Sequence, residues 1–206
     1  DQLKQKSGEF FVMNGAFNAS AQTAAPTKIN CIKTDLGVYT CYLSEIGYLE
    51  RMNKAVPGIF KKLDGWASHT YPHPGYRGRP TDTRIGRESA FEAGRNTMRS
   101  YQFELRLLQK YGVKSIPVFI TETGWPHKQG KTEHKEWYDE KLVAQYYKQA
   151  FKNIFLPDPR VVAVTPFILK NDNYDNFSFV GADGHKFPQW EAITSLPKVK
   201  GNPPTN

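Results

Sequence analysis

The stretch Pro117 to His127, PVFITETGWPH, decides how the rest of the chain is read. Val118, Phe119 and Ile120 form an unbroken apolar run after Pro117, the character of a strand buried on both faces rather than of an alternating surface strand. Gly124 and Pro126 end it. Strict alternation puts Glu122 in phase with Val118 and Ile120, so that its side chain is expected on the buried side at the carboxyl end of the strand. A charge in that place costs free energy unless it is paired or used. The other reading is an exposed loop acid just past the strand, and the local sequence leaves both open.

Working outward, three more apolar segments read as strands: EFFVMNG near residue 10, LDGWASHTY near 64 and VVAVTPFIL near 161. Helical spacing lies between them. Ile46, Leu49, Met52, Val56, Ile59, Phe60 and Leu63 repeat at that spacing, broken or kinked at Pro57-Gly58. Phe91, Met98, Tyr101, Leu105 and Leu108 predict a second helix ending at Tyr111-Gly112. Tyr138, Leu142, Tyr146, Ala150 and Ile154, flanked by Val143, Tyr147 and Phe151, give a third with a wide apolar face, stopped by Pro157. Strand and helix alternate throughout, which predicts an α/β fold of parallel (β/α) units with right-handed crossovers.

Parallel sheets place their chemistry at the carboxyl ends of their strands. Asn14 and Asn18 follow the first strand here, His69, Tyr71 and His73 the second, Glu122 and Trp125 the third, Asn171 and Asp172 the fourth. The long connections lie at that same end, whereas the turns YGVKS and LPDPR at the other are short. Polar and aromatic groups are therefore expected at one mouth.

Composition bounds the function. A chain of 206 residues with 39% hydrophobic content can bury one substantial core. No apolar run reaches the roughly eighteen residues of a membrane helix, and the opening DQLKQKSGE has no signal-peptide core, so no membrane partner is expected. The net charge of +8 raises anionic partners, but the basic residues are dispersed. Arg77, Arg79, Arg84 and Arg87 form the one cluster, in a Gly/Pro-rich segment without a nucleic-acid motif, and no nucleic-acid partner is expected. Cys31 and Cys41 flank a possible hairpin around Leu36-Gly37. A disulfide, which would suit an oxidising compartment, and two free thiols both fit that spacing.

No metal or other cofactor is expected. Pro72 and Pro74 exclude the helix that would bring His69 and His73 to one face as a metal pair. Ser68 has no triad around it. Glu133, Glu136 and Glu140 read as favourable charges at a helix start. Asp64 reads as structural, and Trp66, Trp137 and Trp190 as packing residues.

ITETGW, set between DGWASHTYPHP and VVAVTPFILKND, resembles the retaining glycoside hydrolases of the cellulase-like clan, which are (β/α)8 barrels. The resemblance implies that Glu122 is the nucleophile at the end of the seventh strand, with His69 or Tyr71 on the sixth reaching toward it and the sugar. It makes Trp125 a sugar-stacking platform and places Phe167 where the family often has a tryptophan on the eighth strand. Asn171 and Asp172 are carried along as sugar contacts.

A complete barrel needs eight units and about 250 residues, so four units imply a half or incomplete TIM barrel, strands five to eight, with DQLKQKSGE as the tail of the fourth helix. Residues 1–196 form the expected domain and 197–206 a linker or tail. Retaining cleavage uses two carboxyl groups about 5 Å apart. The family's acid/base glutamate follows an asparagine, and no Asn-Glu pair occurs in the sequence. The resemblance thus places the acid/base outside this chain, in an N-terminal half chain or a second copy that completes the barrel. The expected activity is retaining cleavage of β-linked polysaccharide or oligosaccharide, with carbohydrate as partner. The rival is a non-catalytic carbohydrate-binding or scaffold remnant of such a barrel.

Overall fold

The computed structural model describes residues 2–17, 30–33, 37–86, 88–130 and 135–198. Asn18, Arg87 and Glu133 lie outside the described residues. A short helix, α1 (Gln2–Lys6), leads into an extended segment. Strands β1 (Asn30–Lys33) and β2 (Tyr39–Tyr42) form an antiparallel hairpin that sets Cys31 opposite Cys41, and the two form a disulfide. There follow α2 (Glu45–Ala55), a 3-10 turn at Ile59–Lys62, β3 (Trp66–Thr70), α3 (Ser100–Lys110), β4 (Val118–Thr123) and α4 (Glu140–Ala150). A π-helical turn at Phe151–Phe155 extends α4, and β5 (Val161–Val164), a 3-10 turn at Asp175–Phe177 and α5 (Pro188–Thr194) complete the described elements.

Local chemistry accounts for the boundaries. Ser44 caps α2 by accepting the Gly47 N–H at 3.1 Å, and Asp139 caps α4 by accepting that of Lys141 at 2.9 Å. The break after α2 falls at Pro57-Gly58, where Gly58 takes a left-handed φ of 77°. Phe91 and Met98 lie in turns ahead of α3, and Tyr138 lies ahead of α4, so the helical spacing overran both starts. The helix α5 had no counterpart among the expected elements.

The sheet order is β3-β4-β5, all parallel. Each strand is added on the same side of the one before, without the reversal of a doubly wound sheet. The expected strand around residue 10 pairs at a single bridge, Met13 with Gly65. Side chains take over from the ladder there. Asn14 accepts the Ala67 N–H at 2.8 Å and donates to the Ala67 carbonyl at 2.9 Å, while Asp64 accepts from the Val12 N–H at 2.8 Å and from Lys4. Two polar residues thus cover one edge of the sheet, with Asp64 in the structural role its position suggested.

Helices and sheet share one core. Trp66, Val118 and Ile120 are fully buried with Leu108 of α3 and Val143 and Tyr147 of α4. The same face carries polar groups that the sequence reading passed over. Glu104 of α3 is buried and accepts from Trp66 Nε1 at 2.6 Å and Ser68 Oγ at 3.0 Å. Burial pushes its pKa up to about 7, against the pull of those two bonds. Glu45, on α2, is pushed to about 8 by burial and by Glu104, with Arg95 acting the other way.

Candidate active site

A break in register decides where Glu122 points. Ser68 pairs with Ile120, but His69 pairs with Glu122, so Thr121 is an extra residue on β4 without a partner on β3. Past that bulge the alternation changes phase. Thr123, not Glu122, continues the fully buried side of Val118 and Ile120, its hydroxyl donating to the Thr70 carbonyl at 2.6 Å. Glu122 emerges on the other face beside His69, its side chain 35% exposed. The expectation that Glu122 shares the side of Val118 and Ile120 is thereby corrected. It rested on an unbroken pleat, and one inserted residue reverses the side.

Glu122 stands at the carboxyl end of the central strand and lines a cleft of about 440 Å³. His69, Tyr71, Tyr76, Phe167, Ile168, Tyr174 and Phe177 complete its lining. His69 lies near the end of β3 and the others in the connections after β3 and β5, so the mouth is built from the strand ends as the alternation predicted. Tyr71 donates its hydroxyl to Glu122 Oε2 at 3.0 Å, and His69 Nδ1 lies 3.4 Å from the same oxygen. Burial and the adjoining carboxylate together push the Tyr71 phenol well above its ordinary range, so it stays a donor. Burial outweighs the attraction of Glu122 and lowers the His69 pKa, which leaves its ring mainly neutral at pH 7.

Five aromatic rings form a continuous edge-to-face wall. Tyr71 meets Tyr76 with centroids 5.2 Å apart, Tyr76 meets Phe177 at 5.3 Å, Phe177 meets Phe167 at 5.6 Å, and Phe167 meets Tyr174 at 5.5 Å. Tyr76 has a φ of 61°, a left-handed conformation that costs a bulky L-residue about 1–2 kcal/mol. The turn around it holds it there. Arg77 N–H donates to the Pro74 carbonyl at 3.1 Å and Gly78 N–H to the Pro72 carbonyl at 3.0 Å.

Of the sequence-predicted site residues, the structure brings together Glu122, His69 and Tyr71. Trp125 is not among them, a correction to its expected role as a platform. Gly124, at φ 149°, turns the chain so that the indole is fully buried against Tyr146 and Tyr147, with Nε1 donating to the Gly78 carbonyl at 2.7 Å. A ring without an exposed face cannot stack on a sugar. Asn171 and Asp172 line a separate cavity of about 230 Å³ with Gln129, Lys170, Asp175 and His185. Their expected place at the Glu122 cleft is corrected likewise: the chain past β5 carries Phe167 and Ile168 into the cleft and then leads away from it. Tyr76, Tyr174 and Phe177 were missed, and the signal for the last two was the interleaving of aromatic with polar residues in NDNYDNFSF.

No protein-family model matches the sequence, and no curated protein matches it. Among solved structures the chain is similar over part of its length to a GH128 (subgroup II) endo-beta-1,3-glucanase from Sorangium cellulosum. The TM-score is 0.42 at 16% identity, over 76% of this chain and 50% of that one. It is also similar to the β-glucuronidases of Bifidobacterium dentium (TM-score 0.39, 15% identity, 66% and 21% of the two chains) and Faecalibacterium prausnitzii (0.38, 10%, 67% and 23%). All three are glycoside hydrolases, and this chain spans half the length of the first and under a quarter of the others.

Proposed function

We propose that this chain carries the nucleophile half of a retaining glycosidase of the (β/α)-barrel type, acting on β-linked polysaccharide or oligosaccharide, with Glu122 as nucleophile. The observation that carries the reading is a carboxylate at the carboxyl end of the central parallel strand. It opens onto an aromatic cleft and is held by the Tyr71 hydroxyl. In the first step Glu122 attacks the anomeric carbon, the new carboxylate–carbon bond forms, and the bond to the leaving oxygen breaks with its electron pair on that oxygen. A natural leaving group takes a proton from a general acid, and none of the described residues lining the cleft is a second carboxylate. That acid is supplied from beyond the described lining, by a partner half or a second copy of this chain. Water then attacks the anomeric carbon and frees Glu122, its proton passing to the same group.

The test uses a glycoside with fluorine next to the anomeric centre and a dinitrophenolate leaving group, which departs without a proton. Intact mass across gluco, manno and galacto forms should show one adduct, mapped to the peptide containing Glu122 and absent from Glu122→Gln. No adduct with any of the three or with their uronic-acid counterparts would overturn the reading and favour a sugar-binding protein without turnover.

A further inference from the structure

The described lining of the cleft contains one acid and no lysine or arginine. Its only other ionisable groups are the Tyr71, Tyr76 and Tyr174 phenols and His69, and burial keeps His69 below its ordinary range. A sugar carboxylate entering here would meet the Glu122 charge with no cation among the described lining residues to offset it. An uncharged pyranose can donate its hydroxyls to Glu122 and meets phenol hydroxyls, the His69 ring and aromatic rings besides.

Tyr174 supplies the free face. It stands at the end of the aromatic wall, 53% exposed, with its ring fixed edge-on by Phe167. Tyr76 lies further along that wall, held against its own backbone preference between Tyr71 and Phe177. A half-exposed aromatic ring anchored by a neighbour is suited to the C–H face of a pyranose, where apolar contact and the ring quadrupole act together.

Resting on the nucleophile assignment above, we infer that the Glu122 cleft selects uncharged sugars over uronic acids and that Tyr174 is the platform on which the sugar ring lies. Tyr174 is a binding residue in this scheme, acting through its ring and not its hydroxyl.

The experiment pairs each of the three dinitrophenyl fluoroglycosides with its uronic-acid counterpart and follows adduct formation by intact mass against probe concentration. At least one uncharged probe should label Glu122 about tenfold or more faster than its uronide. Tyr174→Ala should raise the half-saturating concentration of that probe about two- to tenfold while leaving the saturated rate near wild type. Tyr174→Phe should restore the wild-type value. Uronide labelling as fast as or faster than the uncharged partner overturns the selectivity. An unchanged half-saturation in Tyr174→Ala, or a Tyr174→Phe variant as weak as the alanine, overturns the platform. Absence of labelling by all six probes instead overturns the nucleophile assignment itself, so the two failures are told apart.

Discussion

Replacing Glu104 by glutamine tests the buried polar cluster behind the sheet. The carboxyl is enclosed by α3 and β3, its partners are Trp66 Nε1 and Ser68 Oγ, and the buried Glu45, on which Glu104, Arg95 and Glu92 act, is a further acid of the same region. Its pKa rises from 4.5 unfolded to about 7 folded. The folded state therefore holds the proton more tightly, and the stabilisation is fully present below pH 4.5 and lost as pH climbs toward 7. At about 1.4 kcal/mol per unit, the loss is about 3 kcal/mol.

Glutamine keeps the size of the side chain. Its carbonyl can accept from Trp66 while its amide donates to Ser68, whose hydroxyl then accepts, so the change at pH 4.5 should stay within about 1 kcal/mol. The assay is urea unfolding of both proteins from pH 4.5 to 8.5, read as the difference between them. The difference is the useful quantity because His69, His73 and His127, lowered by burial, give wild type an opposing slope near pH 6. Glu104→Gln should gain about 3 kcal/mol on wild type across the range. A flat difference, or one moving in favour of wild type as pH rises, would mean that Glu104 is ionised and paired in the folded protein, and the reasoning would fail.

Two further outcomes follow from single contacts. Tyr71→Phe removes the donor to Glu122 and should slow labelling by the fluoroglycoside about tenfold, at a loss of about 1.5 kcal/mol for a bond to a charged group; an undiminished rate would remove Tyr71 from the site. Asn14→Ala strands the N–H and carbonyl of Ala67 together and should lower the unfolding free energy by about 2 kcal/mol in urea, whereas a loss below about 0.5 kcal/mol would show that water replaces the amide at that edge.

The order of strands and helices was legible because short unbroken apolar runs give way to apolar spacing of period 3.6 between them. The carboxylate at the end of ITET was legible for the same reason, but its direction was not. A bulge is a relation between two strands, and neither PVFITET nor LDGWASHTY contains it alone. Trp125 misled because its burial follows from the turn at Gly124 and from Tyr146 and Tyr147, more than twenty residues downstream. Tyr174 and Phe177 sit in a connection without periodicity, where the interleaving of aromatic with polar residues in NDNYDNFSF was the one local sign of the wall they build. Glu104 could have been found: it lies three residues after Tyr101 and four before Leu108, on the apolar side of α3. An acid at that spacing is a sign of a buried polar contact.

The unpaired residue at Thr121 makes the placement of the carboxylate a matter of counting. Deleting that threonine would remove the bulge and the extra residue together: Glu122 would follow Ile120 directly, still opposite His69, and plain alternation would keep it on the cleft side with Thr123 behind the sheet. What would turn the acid inward is the loss of the bulge with every residue kept, which puts Glu122 back in phase with Val118 and Ile120, on the side of Met98. The match between the bulge and its one extra residue, more than the chemical character of Thr121, keeps the acid on the open side of the strand.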